Sequence, residues 1–125
     1  MIALSYDLHL HSCLSPCGDD DMTPANIVGM AAVMGLELIA LTDHNSAKNC
    51  PAFLKMAEEY GILALPGMEL TTEEEVHVVC LFSELDAAMA FDEYVYAHLQ
   101  PFPNEEAIFG KQQIYNENDE VIGKV

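Results

Sequence analysis

The fold is indicated most clearly by residues 38–45, which read Leu38-Ile39-Ala40-Leu41-Thr42-Asp43-His44-Asn45. Residues 38–41 are all apolar, and Thr42 extends the run before polar residues follow. A strand without polar alternation is typical of a parallel sheet that helices cover on both faces. The segment therefore predicts a buried strand over residues 38–42, with Asp43 and His44 just beyond its carboxyl end.

The rest of the chain alternates between strand-like and helix-like segments. Further strands are predicted at residues 4–10, 62–65 and 76–82, with Pro66-Gly67 closing the second of these. Helices are predicted from Thr23-Pro24 to Gly35, at residues 47–60 and at about residues 84–99, because Thr, Pro and Gly mark helix ends. This rhythm favours βαβ units, so we predict an α/β fold with parallel strands and covering helices.

The carboxyl-terminal part of the sequence has a different character. Pro101-Phe102-Pro103-Asn104 interrupts the chain, and residues 112–115 and 120–122 flank the polar segment 116–119. Two short strands around a polar turn can form a hairpin. We therefore interpret residues 1–125 as one domain in which residues 101–125 are a divergent tail.

The charge of the chain restricts its partners. The chain has 21 acidic residues but only four lysines and no arginine, so its net charge is -17. Hydrophobic residues make up 51% of the chain and can form a core. Such a surface repels nucleic-acid backbones and anionic membranes. A phosphorylated substrate would need a local positive charge, and a bound cation could supply it.

The sequence predicts a cytoplasmic protein without a membrane anchor. Its start lacks the basic and apolar regions of a signal peptide, and no apolar run approaches the roughly 20 residues of a membrane span. The cysteines, at positions 13, 17, 50 and 80, do not have the spacing of a disulfide framework. We expect free thiols in a reducing compartment.

Potential metal ligands recur at the predicted strands. His9 and His11 are two residues apart on an extended segment, so both rings point to one face and can reach one ion at about 2.0–2.1 Å. His44 follows the second strand, Glu69 follows the third, and His77 lies inside the fourth. Imidazole and carboxylate ligands suit zinc, manganese or iron.

The parallel layout predicts that these ligands converge. The carboxyl ends of parallel strands face one crevice, which would gather His11, Asp19, His44 and Glu69. Glu69 could bridge two ions. Two neighbouring ions favour attack of metal-activated water on a phosphoester, and they would also offset the acidic charge of the chain.

Each residue also has a simpler interpretation. His9 and His11 could lie on a solvated strand face, His44 could pair with Asp43, and Glu69 could cap a helix. Other residues have similar alternatives: His77 could be a hydrogen-bonded core residue, and Asp19-Asp20-Asp21 could form a solvated loop. Their joint placement at successive strands favours the site, because independent coincidences are improbable.

Two other groups of residues receive less weight. Cys13 and Cys17 could bind zinc together with His11, but their spacing is only a loose ligand pattern, and we favour thiols without a site role. His98 lies near the end of the third predicted helix, where a histidine interacts well with the helix dipole. We assign it no role in the site.

The ordered ligand set resembles the PHP (polymerase and histidinol phosphatase) family. The resemblance covers about residues 5–85 and rests on His9-Leu10-His11, Asp19, Thr42-Asp43-His44, Pro66-Gly67-Met68-Glu69 and Val76-His77. It implies the amino-terminal half of a distorted (β/α)7 barrel with up to three divalent ions at the strand ends. It also implies hydrolysis of phosphomonoesters or removal of nucleotides.

The resemblance further implies a role for each ligand. His9, His11 and Glu69 would hold one ion, and Glu69 would bridge to a second ion bound with His77. A third ion would be held by His44 together with Asp19, or with Asp20 as the alternative. Asp43 would orient a ligand or the helix start without touching the metal.

The later ligands of the family are missing from this sequence. Each ion would lack at least one protein ligand, so we expect a truncated chain or a natural fragment that a carboxyl-terminal half or self-association completes. Three hypotheses follow. The leading one is a metal-dependent phosphoesterase acting on a small phosphorylated substrate. The others are a non-catalytic metal-binding or assembly module and, with less support, a redox or zinc sensor based on Cys13 and Cys17.

Overall fold

The computed structural model describes residues 3–15, 18–98 and 113–124. The predicted break at residues 101–104 and the start of the predicted hairpin at Gln112 lie outside these ranges. The strands are β1 (Tyr6–Leu10), β2 (Leu38–Leu41), β3 (Leu63–Thr71), β4 (His77–Leu81), β5 (Gln113–Tyr115) and β6 (Val121–Lys124). The helices are α1 (Pro24–Val33), α2 (Cys50–Tyr60) and α3 (Leu85–His98).

The main sheet has the order β1-β2-β3-β4, and β5 and β6 form a separate antiparallel pair. β1, β2 and β3 are parallel, as the alternation of segments predicts. β4 departs from the predicted parallel arrangement, because it runs antiparallel to β3. Only residues 72–76 connect the two strands, whereas a parallel crossover needs a dozen or more residues. The α/β half-barrel is confirmed, with this one reversed strand.

β3 does not end at Pro66-Gly67 but continues to Thr71. Gly67 allows close approach of β4, because a Cβ at this position would lie 2.6 Å from the carbonyl oxygen of Cys80. The glycine therefore permits strand pairing instead of ending the strand. As a result, Glu69 lies inside β3 and not beyond it.

The helix signals are borne out at α1 and corrected at α2. The Thr23 hydroxyl accepts a hydrogen bond from the Asn26 backbone N–H at 3.2 Å, and Gly35 has a left-handed φ of 74°. α2 begins at Cys50 instead of residue 47. The Ala47 N–H donates to the Asp92 carboxylate of α3 at 2.8 Å. Ala47 therefore belongs to the loop before α2, where its N–H bonds to α3.

The core lies between the sheet and the helices. Fully buried apolar side chains come from both layers, including Val28 of α1, Ile39 and Leu41 of β2, Phe53 of α2 and Met68 of β3. Within the described residues, no helix has the length and apolar composition needed to cross a membrane. Cys13, Cys50 and Cys80 are free thiols, as predicted.

Candidate metal centre

Four histidines converge on one buried carboxylate. Glu69 is 6% exposed, and each of its oxygens faces two imidazole rings. His9 forms a direct hydrogen bond to Oε1, and His11 Nε2 lies 3.1 Å from the same oxygen. On the other side, the Nδ1 atoms of His44 and His77 lie 3.6 Å and 2.8 Å from Oε2. The structure thus brings these five predicted residues together.

Strand β1 presents the first pair of histidines. His9 lies in β1 and His11 follows its end, so the two rings share one face with centroids 5.1 Å apart. The two-residue spacing in extended chain produces this arrangement. Both rings approach Glu69 through Nε2.

The turn after β2 places His44 beside Glu69. His44 and Glu69 form an isolated parallel bridge, in which the Glu69 N–H donates to the Asp43 carbonyl at 2.9 Å. Asn45 donates its N–H to the Glu69 carbonyl at 3.1 Å, and its side-chain oxygen accepts from the Thr71 N–H at 2.9 Å. Asn45 has a left-handed φ of 52°, which asparagine tolerates better than most residues.

The antiparallel strand β4 brings His77 to the same place. Val79 pairs with Glu69, and His77 pairs with Thr71 two residues further along. Residues two apart share a face of the strand, so His77 is a diagonal neighbour of Glu69 on that face. A parallel β4 would not have brought the amino-terminal end of this strand to Glu69.

The electrostatics of the centre keep Glu69 ionised. Burial raises the pKa of Glu69, but hydrogen bonds from His9 and His77 and the charges of His44 and His11 outweigh burial and bring the pKa to about 2. Burial lowers the pKa values of His11 and His44, while the Glu69 charge acts in the opposite direction. The centre therefore combines a carboxylate with two imidazoles, those of His11 and His44, whose burial favours the neutral, metal-binding form.

The donor atoms fit divalent metals. The ligand atoms of His9, His11 and Glu69 lie within 4.8 Å of one another, and so do those of His44, Glu69 and His77. Two ligands that each bind an ion at about 2.0–2.1 Å can be up to about 4.2 Å apart. Sub-ångström shifts would therefore allow each group to surround one ion, with Glu69 shared between them.

Asp43 lies beside the centre without joining either ligand group. Its carboxylate is buried and accepts from the Ser12 N–H at 2.6 Å, the Ser12 hydroxyl at 2.6 Å and the Ser15 hydroxyl at 2.8 Å. Burial raises the pKa of Asp43, and the bonds from the two serines oppose that shift. Asp43 thus fixes the loop that follows β1.

The structure does not bring Asp19 or Asp20 into either ligand group. Asp19 is exposed, and its carboxylate accepts from the Asp21 N–H at 2.9 Å while its carbonyl accepts from Met22. These bonds form a local turn before α1. His44, which the resemblance paired with Asp19, instead lies with Glu69 and His77.

The remaining candidates lie apart from the centre. Cys13 is buried, with its Sγ 3.5 Å from the Gln113 carbonyl oxygen, and belongs to neither ligand group. Cys17 lies outside the described residues. His98 donates from Nδ1 to the Tyr94 carbonyl of its own helix at 2.7 Å.

Three polar residues near the centre were not predicted from the sequence. Ser12, Ser15 and Asn49 are all completely buried and belong to the hydrogen-bond network around Asp43. The serines appear in a polar loop segment, and Asn49 precedes a helix, where asparagine usually caps. Asn49 makes no capping bond with its side chain. Only the three-dimensional contacts reveal its actual partners.

Comparisons with known proteins identify a family and several relatives that the chain resembles. The family model for the PHP domain matches residues 7–119. An uncharacterised protein of Methanocaldococcus jannaschii is 30% identical over 71% of this chain and 57% of its own length. A 5'-3' exoribonuclease of Haemophilus influenzae is 34% identical over 61% of this chain and 28% of its own length.

Two solved structures have folds similar to that of the chain. One, provisionally described as a metal-dependent phosphoesterase from Bifidobacterium adolescentis, matches with a TM-score of 0.53 and 28% identity over 74% of this chain. An amidohydrolase from Chromobacterium violaceum, solved with bound sulfate and no metal, matches with a TM-score of 0.58 and 30% identity over 72% of this chain. The chain covers 33% and 32% of these two proteins.

Proposed function

The chain belongs to the PHP domain family, and on this premise we propose that its Glu69 centre serves metal-dependent hydrolysis of a phosphomonoester or a nucleotide phosphate. The observation that carries the proposal is the arrangement of two imidazole pairs on the two oxygens of one ionised carboxylate. This donor set suits zinc, manganese or iron. When bound, such ions activate water and offset the charge of a phosphoryl group.

Each residue of the centre would have a distinct role. His9 and His11 would hold one ion and His44 and His77 a second, with Glu69 shared. The low pKa of Glu69 keeps its negative charge available at neutral pH. Asp43 would hold the loop after β1 in place through Ser12 and Ser15.

The charge of the chain favours a small substrate. With a net charge of -17, the protein surface repels an extended polyanion, whereas bound cations would attract a single phosphate group locally. The similarity to an exoribonuclease leaves a nucleotide phosphate among the candidates. Because the chain covers 57% of its archaeal relative and less of the others, we propose that further ligands come from additional protein or a second copy.

The proposal is tested with p-nitrophenyl phosphate and nucleoside monophosphates after loading with manganese, zinc or iron(II). We expect phosphate release that EDTA abolishes and that Glu69→Gln abolishes under every loading condition. The matched control is Glu58→Gln, which removes an exposed carboxylate on α2 and leaves activity unchanged. Metal-loaded wild type without turnover on any of these substrates would contradict the proposed activity.

A non-catalytic metal-binding or assembly module is the second candidate. Among the described residues, β4 lies at the edge of the sheet, and its Val78 and Val79 are each 42% exposed. Exposed edge strands with apolar side chains favour association with further protein. Bound metal without turnover, together with a stable oligomer, would support this alternative.

A further inference from the structure

The β5–β6 hairpin is joined to the rest of the chain beside the metal centre. The Gln113 carbonyl accepts hydrogen bonds from the Asn49 side-chain NH2 at 3.2 Å and from the Cys13 thiol at 3.5 Å. The Tyr115 N–H donates to the Asn49 side-chain oxygen at 2.8 Å. None of these residues belongs to a ligand group, so direct metal binding does not explain the contacts.

The side-chain amide of Asn49 binds β5 as an adjacent strand would. In a strand, the carbonyl of one residue and the N–H of the residue two positions later point to the same side, where a neighbouring strand pairs with both. Asn49 offers its NH2 to the Gln113 carbonyl and its oxygen to the Tyr115 N–H. Because a backbone carbonyl only accepts and a backbone N–H only donates, these partners fix the orientation of the amide.

Burial makes the hairpin necessary to Asn49. The residue is completely buried, and its side chain does not cap α2, although Asn49 directly precedes that helix. The NH2 group also donates to Ser12 Oγ at 3.1 Å. Undocking of the hairpin would leave the amide with one of these three bonds. Because a buried amide without partners is unfavourable, Asn49 stabilises the docked position of the hairpin.

The bond from Asn49 to Ser12 connects the hairpin to the metal centre. Ser12 directly follows His11 and is completely buried. Its backbone N–H and its hydroxyl donate to the Asp43 carboxylate, each at 2.6 Å, so Ser12 is held between Asp43 and Asn49. His11 is the first residue after the end of β1. A shift of Ser12 would therefore move the His11 ring relative to Glu69.

The two ligand groups differ in their connection to the hairpin. The first ligand group is His9, His11 and Glu69, and the second is His44, Glu69 and His77. Within the described residues, the hydrogen bonds of His44 and His77 are made with Ser15 and Glu69 and not with the hairpin. Docking of the hairpin should therefore affect the first group more than the second.

We propose that Asn49 is a positioning residue that docks the β5–β6 hairpin against the loop after β1 and thereby holds His11 in the first ligand group. The hairpin, which the sequence marks only as a divergent tail, then supports the metal centre from outside. The effect on metal binding rests on the proposed function, whereas the docking of the hairpin does not.

The docking is tested in metal-free protein by amide hydrogen exchange in EDTA, followed by NMR. The Tyr115 amide should be protected in the wild type. Asn49→Leu keeps a side chain of similar size without its hydrogen-bonding groups, and exchange at Tyr115 should become about tenfold faster, as expected for one lost hydrogen bond. The control is Ser46→Ala, because Ser46 is a buried residue of the same loop that donates to Asp92 of α3. Equal exchange in the wild type and Asn49→Leu would overturn the docking.

Zinc titration tests the positioning of His11 in two backgrounds. His77→Ala leaves the first ligand group intact, and His9→Ala leaves the second intact. Addition of Asn49→Leu should weaken zinc binding about three- to tenfold in the His77→Ala background, as loss of one hydrogen bond predicts. In the His9→Ala background, the affinity should stay unchanged. Equal weakening in both backgrounds would show a general loss of structure and overturn the positioning role.

A second pair of variants changes the hairpin and leaves Asn49 in place. Tyr115→Pro removes the N–H that Asn49 accepts, whereas Tyr115→Ala keeps it. In the His77→Ala background, Tyr115→Pro should weaken zinc binding as Asn49→Leu does, and Tyr115→Ala should weaken it less. This pair decides the question if Asn49→Leu does not fold. Equal affinities of the proline and alanine variants would overturn the proposal.

The imidazole resonances of His11 separate this proposal from the proposed function. In EDTA, Asn49→Leu should shift the ring resonances of His11 in 1H–13C spectra and leave those of His77 in place. This result in a protein that binds no zinc would support the positioning role and contradict the proposed function. Unchanged His11 resonances in a folded Asn49→Leu variant would overturn the positioning role, whatever the metal binding of the wild type.

Discussion

His77 Nδ1 lies 2.8 Å from Glu69 Oε2, on the opposite side of the carboxylate from His9 and His11. The contact depends on the antiparallel pairing of β4 with β3, which places His77 diagonally across from Glu69. One strand reversal therefore gives Glu69 a second pair of imidazoles and makes it the shared residue of two ligand groups.

Replacement of His77 tests the second ligand group. His77→Ala should weaken the binding of one of the two metal ions. Loss of a residue that only hydrogen-bonds to a ligand costs about 10–100-fold in affinity, and we expect a larger loss here because a direct ligand is removed. Isothermal titration with zinc or manganese measures this change. His98→Ala is the control, because the contacts of His98 within the described residues are with Tyr94 of its own helix and not with either ligand group. Unchanged titration curves for His77→Ala would contradict the second group.

Asn45 tests how the turn after β2 is held. Asn45→Ala forces a left-handed φ on a side chain that disfavours it and removes the bond to the Thr71 N–H, so we expect a loss of about 2–3 kcal/mol in unfolding free energy. Asn45→Gly keeps the conformational freedom and should lose about 1–2 kcal/mol. Urea denaturation of metal-free protein measures both. Equal losses in the two variants would show that the φ of 52° is not a source of strain.

The thiols should differ in reactivity. Burial raises the pKa of Cys13 to about 11 and that of Cys50 to about 12, so neither has an appreciable thiolate fraction at pH 8. Cys80 is partly exposed and should react first with a disulfide reagent such as DTNB. The experiment uses a Cys17→Ser background and counts reacted thiols by mass spectrometry. In urea, all three thiols should react at similar rates. Labelling of Cys50 in the native protein as fast as that of Cys80 would contradict the burial of Cys50.

The lowered pKa of Glu69 predicts that this residue contributes to stability in a pH-dependent way. Its pKa in the folded protein lies near 2, below the ordinary value of 4.5, so the unfolded chain binds more protons between these values. The stabilisation is therefore fully present above about pH 4.5 and disappears as the pH falls towards 2. The difference in unfolding free energy between wild type and Glu69→Gln, both in EDTA, should shrink over this range. Use of a difference cancels the general effect of the acidic surface. A stability difference that grows as the pH falls would contradict the lowered pKa of Glu69 in the folded protein.

Much of the fold follows from short-range patterns in the sequence. The apolar run at residues 38–41 predicts the buried strand β2, and the Thr23-Pro24 and Gly35 signals predict the ends of α1. The direction of β4 was predicted wrongly, because alternation of segments does not report connection length. The continuation of β3 through Pro66-Gly67 was missed for a related reason, since the need for a glycine there comes from the Cys80 carbonyl across the sheet.

The ligands were easier to predict than their surroundings. His9, His11, His44, Glu69 and His77 are chemically distinctive residues at successive strands, and they converge in the structure. Asp19 was selected by its distance from the start of α1, but a turn directs its carboxylate to the Asp21 N–H. Ser12, Ser15 and Asn49 have no distinctive local pattern. Their importance depends on partners 28 to 66 residues away in the sequence, which only the folded chain brings together.

Metal content tests the central claim most directly. After exposure to excess manganese or zinc and removal of free metal, elemental analysis of the purified wild type should find one bound ion for each of the two ligand groups. Glu69→Gln, which removes the carboxylate that both groups share, should retain neither ion, and Glu58→Gln should match the wild type. A wild-type chain that retains no metal, or a folded Glu69→Gln variant with the wild-type metal content, would contradict the account.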